Sequence, residues 1–265
     1  LARLDRPPAQ PFLLYLSAIA AGPPSEEPRR VLDLHRMLRE RLLADPWSRA
    51  LARIGSGWLM LLFGSAGPDD AAGEFTAALA EFRAIGERWG MMLALNGIAE
   101  RATWRGDHAA ALAPMDEALR LAAELGSAVD TADLLRARAE GRLATGDLDG
   151  AAGDFGRVVA IARDCGAPEL SAAANTGLGR IALTRGDLAE ARRLGTAALD
   201  ECPAGWYTAD GNRMTALVLL GHVAEQSGDL AEARRRYREV SLVGPGPEAA
   251  QALADAAAGL ARTGG

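Results

Sequence analysis

Residues 186–191 read Gly-Asp-Leu-Ala-Glu-Ala, and residues 228–233 repeat the same six letters. Further Gly-Asp pairs lie at 106–107 and 146–147, so the first three pairs are 40 residues apart. Glycine readily adopts the left-handed conformation that ends a helix, and aspartate is a favoured residue for beginning one. Each pair therefore predicts a tight turn between two helices.

A triplet of core-forming residues also recurs along the chain. In each triplet a small residue is followed four positions later by a second residue, usually large, and three positions after that by a third. This spacing places all three on one face of a helix. The triplets are Ala71, Phe75 and Ala78; Ala111, Met115 and Ala118; Ala151, Phe155 and Val158; Ala191, Gly195 and Ala198; and Ala233, Tyr237 and Val240.

The first residues of the triplets are spaced by 40, 40, 40 and 42 residues. A fixed period in this range is typical of stacked helical hairpins, in which each repeat contributes a first helix, here called helix A, and a second, helix B. We therefore predict an all-α solenoid. Two interfaces are expected to be looser, because Arg138 stands near a usually apolar position and Gly195 replaces a large residue.

The period also predicts the domain organisation. We expect an extended segment at residues 1–10 and a single solenoid at 11–265. The chain stops at Gly264-Gly265, where the next Gly-Asp turn should begin, which predicts a truncated repeat array; alternatively, the last helix is itself the cap. The predicted hairpins span about 11–45, 47–86, 91–126, 131–166, 171–201 and 213–242, followed by a helix at 248–262.

The segments 186–191 and 228–233 resemble the hairpin of the tetratricopeptide-repeat family. The packing positions of that family's helix A are matched by Leu217, Leu220, Gly221 and Ala224. The resemblance implies a right-handed superhelical solenoid. The 40-residue period and segment 82–90 are similar to the carboxy-terminal sensor arm of large bacterial regulators that join a DNA-binding domain to a nucleotide-switch ATPase. Within that group, the chain resembles the antibiotic-pathway regulators of actinobacteria, which carry a transcriptional-activator domain.

Composition excludes several functions. The chain has a formal net charge of −6, and all 29 of its basic residues are arginine. A negative chain is poorly suited to direct nucleic-acid binding, and without lysine no phosphate-binding loop of the Gly-Lys-Ser/Thr type exists. Apolar runs are too short to span a bilayer. We expect a non-catalytic, cytoplasmic chain without cofactor or metal.

The resemblance places the binding surface on the A helices, which line the concave groove in this family. The functional interpretation is that charged and amide side chains bind a partner while Trp104 acts as an apolar anchor. The alternative is an ordinary solvated face. The candidate residues are Asn96, Glu100, Trp104, Arg136, Glu140, Arg180, His222 and Glu225.

Three other features have a structural and a functional interpretation. The basic run 234–238 is either a solvated face or a site for an acidic partner. The loop containing Trp206 and Tyr207 either packs over the groove or contributes contacts. Cys165 occupies the position of Ile85 in an earlier repeat and is expected to be buried. Cys202 precedes Pro203 in a loop, where it is either a structural residue or a reactive thiol.

The functional hypothesis is a sensor or interaction arm of a multidomain transcriptional regulator. Its partner would be a protein or peptide, with a small-molecule effector as a further candidate, and a homo-oligomer is compatible with the sequence. The alternative is a standalone adaptor that mediates protein assembly. An accessory subunit of a biosynthetic complex is a third class.

Overall fold

The structure is a computed structural model that describes residues 45–63, 68–202, 209–240 and 249–264. The predicted segment at 1–10, the hairpin predicted at 11–45 except for its last residue, and the loop with Trp206 and Tyr207 lie outside these residues. Regular secondary structure in the described ranges is entirely helical. The helices are α1 (Pro46–Phe63), α2 (Pro68–Ile85), α3 (Arg88–Trp104), α4 (His108–Leu125), α5 (Ala128–Ala144), α6 (Leu148–Cys165), α7 (Pro168–Thr184), α8 (Leu188–Asp200), α9 (Ala209–Gln226), α10 (Leu230–Val240) and α11 (Ala249–Thr263).

The helices form two compact units whose boundary falls between Ser127 and Ala128. In the first unit, α1 pairs with α2 and α3 with α4, and α3 also contacts both helices of the preceding hairpin. In the second unit, α5 pairs with α6, α7 with α8 and α9 with α10, while α11 packs on α9 and α10. The odd-numbered helices are therefore the A helices and the even-numbered ones the B helices. The prediction of an all-α, tetratricopeptide-like repeat fold is confirmed.

The Gly-Asp turns adopt the predicted conformation. Gly106, Gly146, Gly186 and Gly228 have φ values of 76°, 86°, 79° and 80°, which lie in the left-handed region. The aspartate that follows each glycine accepts a hydrogen bond from the backbone N–H three residues later, at 2.9–3.1 Å. Each turn thus ends an A helix and begins a B helix through local interactions alone.

Large side chains of the B helices pack against glycines of the A helices. A Cβ atom added to Gly57 or Gly97 would lie 2.7 Å or 2.4 Å from the ring of Phe75. Tyr237 is placed in the same way between Gly221 and Gly259. Every residue of the five predicted triplets is buried, so the core follows the sequence pattern.

The interface at Gly195 is closed, contrary to the expectation of looser packing. A Cβ atom added there would lie 3.0 Å from Cδ2 of Leu220 and 3.3 Å from Cδ2 of Leu219. Because these two leucines of α9 fill the space, the small residue on α8 leaves no gap.

The expectation for Arg138 is also wrong, for a different reason. Its guanidinium donates two hydrogen bonds to the carboxylate of Asp154, at 2.8 Å and 2.7 Å, and Arg142 Nη1 donates to the same carboxylate at 2.8 Å. The Asp154 side chain is only 4% exposed. A buried carboxylate on α6 therefore joins two arginines on α5, and the position is tightly held.

Cys165 is exposed rather than buried, and it is a free thiol. It is the last helical residue before Gly166, whose φ is 67°. Ile85 and Leu125 stand at the same place in their repeats and are 43% and 41% exposed. The position faces solvent in all three repeats, because the helix ends there.

Candidate functional site

The predicted site residues of the first unit lie on α3. Asn96, Glu100 and Trp104 are spaced by four residues and therefore share one face of this helix. Asn96 and Glu100 are half-buried, whereas Trp104 is 55% exposed. An exposed indole at the end of the helix provides apolar surface that a partner can cover.

In the second unit, the structure pairs two predicted residues across successive A helices. Arg180 on α7 donates to Glu140 on α5 at 2.8 Å, and the two side chains are 48% and 37% exposed. Arg136 on α5 instead donates to Asp133 of its own helix at 3.1 Å. The A-helix surface of this unit, here defined by Arg136, Glu140 and Arg180, is thus charged, accessible and internally paired.

His222 and Glu225 belong to a cluster on α9, α10 and α11. The carboxylate of Glu225 accepts two hydrogen bonds from Arg262, at 2.8 Å and 3.0 Å, and one from the hydroxyl of Tyr237 at 2.8 Å. The ring of His222 lies edge-on to that of Tyr237, with centroids 5.7 Å apart. Sequence analysis identified two of the four residues, and the cluster joins the last helix to the hairpin before it.

The cluster shifts the ionisation of its members. The hydrogen bonds from Arg262 lower the pKa of Glu225 because they favour its charged form. Burial and the hydrogen bond to the Glu225 carboxylate raise the pKa of Tyr237. Burial, assisted by the positive charge of Arg262, lowers the pKa of His222. At neutral pH the arrangement is therefore a Glu225–Arg262 ion pair beside a neutral imidazole.

We expect acidification to weaken the second unit through His222. The folded state binds the imidazole proton less well than the unfolded state, whose pKa is near 6.5, so stability declines as the pH falls below that value. Glu225 titrates only at lower pH, since its pKa lies below 4.5. We expect the free energy of unfolding, measured by urea titration, to fall less between about pH 7.5 and pH 5.5 in the His222→Gln variant than in wild type. Equal losses would show that His222 does not titrate with unfolding.

Two arginines of the basic run 234–238 are paired with carboxylates of the same helix. Arg235 and Arg236 both pair with Glu232, at 2.5 Å and 2.8 Å, and Arg236 also contacts Glu239 at 3.3 Å. Arg234 donates to the carbonyl oxygen of Thr263 at 3.2 Å. These contacts favour the interpretation of a paired helix face over a site for an acidic partner.

Cys202 is buried, and burial raises the pKa of its thiol. A raised pKa keeps the sulfur protonated and therefore unreactive at neutral pH. The arrangement favours the packing role over the reactive-thiol alternative.

A cleft in the second unit was not predicted from the sequence. It has a volume of about 770 Å³ and is bordered by the B helices α6 and α8, with one face of α7 as its floor. Apolar residues include Val159, Leu178 and Leu194, and polar residues include Asn175, Glu201 and Arg163. We refer to it as the α6–α8 cleft. Comparison of equivalent positions in successive repeats is the sequence signal that could have found it.

The cleft and the A-helix surface lie on different sides of α7. Arg180 is two residues from Leu178 and five from Asn175, which at about 100° per residue places it roughly 160° from the first and roughly 140° from the second around the helix axis. Arg180 contacts α5, whereas Leu178 and Asn175 line the cleft. A ligand in one site would therefore not occupy the other.

Across the described ranges, no three or more His, Cys, Asp or Glu side chains are grouped so that they could hold a metal ion. Nor does any helix among those residues combine the length and apolar character needed to cross a bilayer.

No protein-family model matches the sequence, and no curated protein matches it. Solved structures do match. The Rap protein complexed with Competence and Sporulation Factor is 17% identical with a TM-score of 0.68, covering 96% of this chain and 68% of that one. NprR in complex with its cognate peptide NprX is 15% identical with a TM-score of 0.66, covering 93% and 70%. A tetratricopeptide repeat protein from Parabacteroides merdae is 14% identical with a TM-score of 0.53, covering 93% and 98%.

At these identities the likeness establishes the fold alone. The structures share stacked helical hairpins with this chain over most of its length. The chain therefore has a tetratricopeptide-like helical-repeat fold, the class of protein that its turns and triplets indicate.

Proposed function

We propose that this chain is a non-catalytic module that binds a protein or peptide partner. The observation that carries the proposal is the fold shared over 93% of the chain with NprR, whose structure contains its cognate peptide. Stacked helical hairpins provide a long, stable surface whose side chains vary without disturbing the core. Such a scaffold is suited to recognition.

The A-helix surface is the proposed contact area. The Glu140–Arg180 pair is exposed, and exposed ion pairs typically stabilise a protein by only about 0–1 kcal/mol. A partner can therefore replace either half of the pair at little cost. On the first unit, Trp104 is a separate candidate contact, because an exposed aromatic group is of the kind enriched at binding hot spots.

A charge exchange tests this surface. In the double variant Glu140→Arg/Arg180→Glu the two side chains keep their mutual attraction, but each presents the opposite sign to a partner. We expect the double variant to have the same helical content and thermal unfolding as wild type. When each chain is immobilised and incubated with an extract of its own cells, the double variant should no longer retain the proteins that wild type retains. Quantitative mass spectrometry of the retained proteins is the measurement.

The matched control is Arg120→Glu with Glu124→Arg, an exposed pair on α4 that lies outside both the A-helix surface and the lining of the α6–α8 cleft. It exchanges the same charges and should leave the retained proteins unchanged. If both double variants retain the wild-type set, the A-helix surface is not the contact area. If wild type retains no protein above background, the binding proposal itself is wrong.

We further propose that the module is the sensor arm of a multidomain transcriptional regulator. The support is the resemblance of the 40-residue period and of segment 82–90 to such arms. Partner binding would shift a conformational equilibrium in the regulator's other domains. The alternative remains a standalone adaptor.

The native coding sequence distinguishes these two proposals. A regulator requires a DNA-binding domain and a nucleotide-binding ATPase in the same reading frame, and deletion of the region encoding this chain should then alter transcription from the target promoter. A reading frame confined to helical repeats would support the adaptor. Unchanged transcription after the deletion would contradict the regulatory role.

A further inference from the structure

The α6–α8 cleft has a filled counterpart within the same chain. In the first unit, the corresponding junction of α2, α3 and α4 is bridged by an ion pair between Arg83 and Glu117 at 2.7 Å. Leu95 and Leu121 are buried there, with 3% and 2% exposure. Phe82 is fully buried against Gly90, where an added Cβ would lie 2.4 Å from its ring. Side chains of the protein itself therefore occupy this junction.

Two repeats later, the same positions hold smaller or polar residues. The basic residue is kept, since Arg163 lies 80 residues after Arg83, but the position of Glu117 is taken by Ala197. The positions of Leu95 and Leu121 are taken by Asn175 and Glu201, and that of Phe82 by Ala162. All five of these residues line the cleft. The cleft exists because the groups that fill its counterpart are missing.

The loss of the acid changes the surroundings of the Arg163 side chain. No described residue forms an ion pair or side-chain hydrogen bond with it, although its repeat equivalent is paired. A guanidinium at the border of a partly apolar cleft favours a carboxylate, which it binds with charge-assisted hydrogen bonds. The first chemical requirement on a ligand is therefore an acidic group.

The floor of the cleft sets a second requirement. Asn175 is 8% exposed, and its Nδ2 donates to Oε2 of Glu201 at 3.1 Å. A carboxylate only accepts hydrogen bonds, so this contact fixes the orientation of the amide and leaves Oδ1 as an acceptor. No described residue donates to Oδ1. The floor thus presents acceptor oxygens, which a ligand matches with N–H groups.

Val159 and Leu178 supply the third requirement, because both are only half-buried in the cleft. An aliphatic side chain placed against them would remove apolar surface from water. A carboxylate, N–H donors and an aliphatic group occur together in an acidic peptide. A fatty acid offers the first and third but no N–H group.

We infer that the α6–α8 cleft binds a linear peptide segment of a partner protein. An acidic side chain of the segment pairs with Arg163 and stands in for the missing glutamate. Its backbone N–H groups donate to Asn175 and Glu201, and a neighbouring aliphatic side chain packs on Val159 and Leu178. The inference rests on the proposed binding function but places this ligand on a different side of α7 from the A-helix surface.

The variant Ala197→Glu tests the inference by restoring the acid found in the filled junction. Random dodecapeptides displayed on phage are selected on the wild-type chain, and the enriched sequences are synthesised with a fluorescent label. We expect an acidic residue beside an aliphatic one, and binding by anisotropy that weakens about tenfold or more in Ala197→Glu, since its own carboxylate occupies Arg163. Ala189→Glu adds the same charge to α8 outside the lining and should bind as wild type does.

Charge reversal at Arg163 provides a second test, which does not depend on whether Ala197→Glu folds. Arg163→Glu should bind the selected peptide about tenfold or more weakly, and changing the peptide's acid to arginine should restore binding to this variant alone. Equal affinities for wild type and Ala197→Glu, displacement by dodecanoate, or failure to select any peptide sensitive to Ala197→Glu would each overturn the inference. The Glu140→Arg/Arg180→Glu variant should bind the peptide normally, so failure at the cleft is distinct from failure of the A-helix surface.

Discussion

Replacing Asp154 with alanine is expected to lower the free energy of unfolding by about 3 kcal/mol. The variant removes the carboxylate that Arg138 and Arg142 share, and the side chains of these two arginines are only 14% and 26% exposed. Breaking a buried ion pair from one side is costly because the remaining charge stays poorly hydrated. The estimate lies at the lower end of the usual range, since both guanidiniums keep some contact with water.

Asp149→Ala is the matched control for this prediction. Asp149 lies on the same helix and pairs with Arg185 at 2.5 Å, but its side chain is 96% exposed. Exposed pairs contribute about 0–1 kcal/mol, so this variant should unfold almost as wild type does in urea. Comparable losses in the two variants would mean that burial does not determine the contribution of these ion pairs.

Replacing Phe75 with alanine is expected to cost about 3–5 kcal/mol. The ring is completely buried, it fits against Gly57 on α1 and Gly97 on α3, and Trp58 packs edge-on at a centroid distance of 5.6 Å. The variant would leave a cavity shared by three helices, and the glycines have no side chains with which to fill it. Urea unfolding followed by circular dichroism and tryptophan fluorescence measures the loss.

A second substitution checks the cause of that loss. In wild type, Gly97→Ala should destabilise by about 1–3 kcal/mol, because its Cβ would lie 2.4 Å from the Phe75 ring. In the Phe75→Ala background the same change should be neutral or stabilising, since alanine favours helix over glycine and partly fills the cavity. Additive effects of the two substitutions would contradict the packing explanation.

The fold was predictable because the information that determines it is local and repeated. Gly186 and Asp187 form their turn from their own φ preference and capping side chain, without help from distant residues. The triplets predict which residues are buried, because helical spacing determines which residues share a face of the helix. Even the Glu140–Arg180 pair follows the period, because its members are 40 residues apart.

Interactions that differ between repeats were not predictable in this way. Arg138 was expected to disturb packing because its partner, Asp154, lies on another helix. Neither residue belongs to a triplet, so the repeat pattern gives no sign of the ion pair. Gly195 was misread because the leucines that fill its space come from the following A helix. The peptide or protein contacts of Asn96, Arg136 and the other A-helix residues stay predictions, since recognition depends on a partner's shape and charge.

The Gly-Asp turns have a consequence for how a chain of this kind can change over generations. Four of the five described hairpins carry the glycine that ends their first helix and the aspartate that begins their second. Duplication or deletion of one 40-residue module therefore transfers both signals together and creates no helix end that lacks its cap. Copies can then diverge separately, as the junctions around Arg83 and Arg163 have done, one keeping its acid and the other losing it.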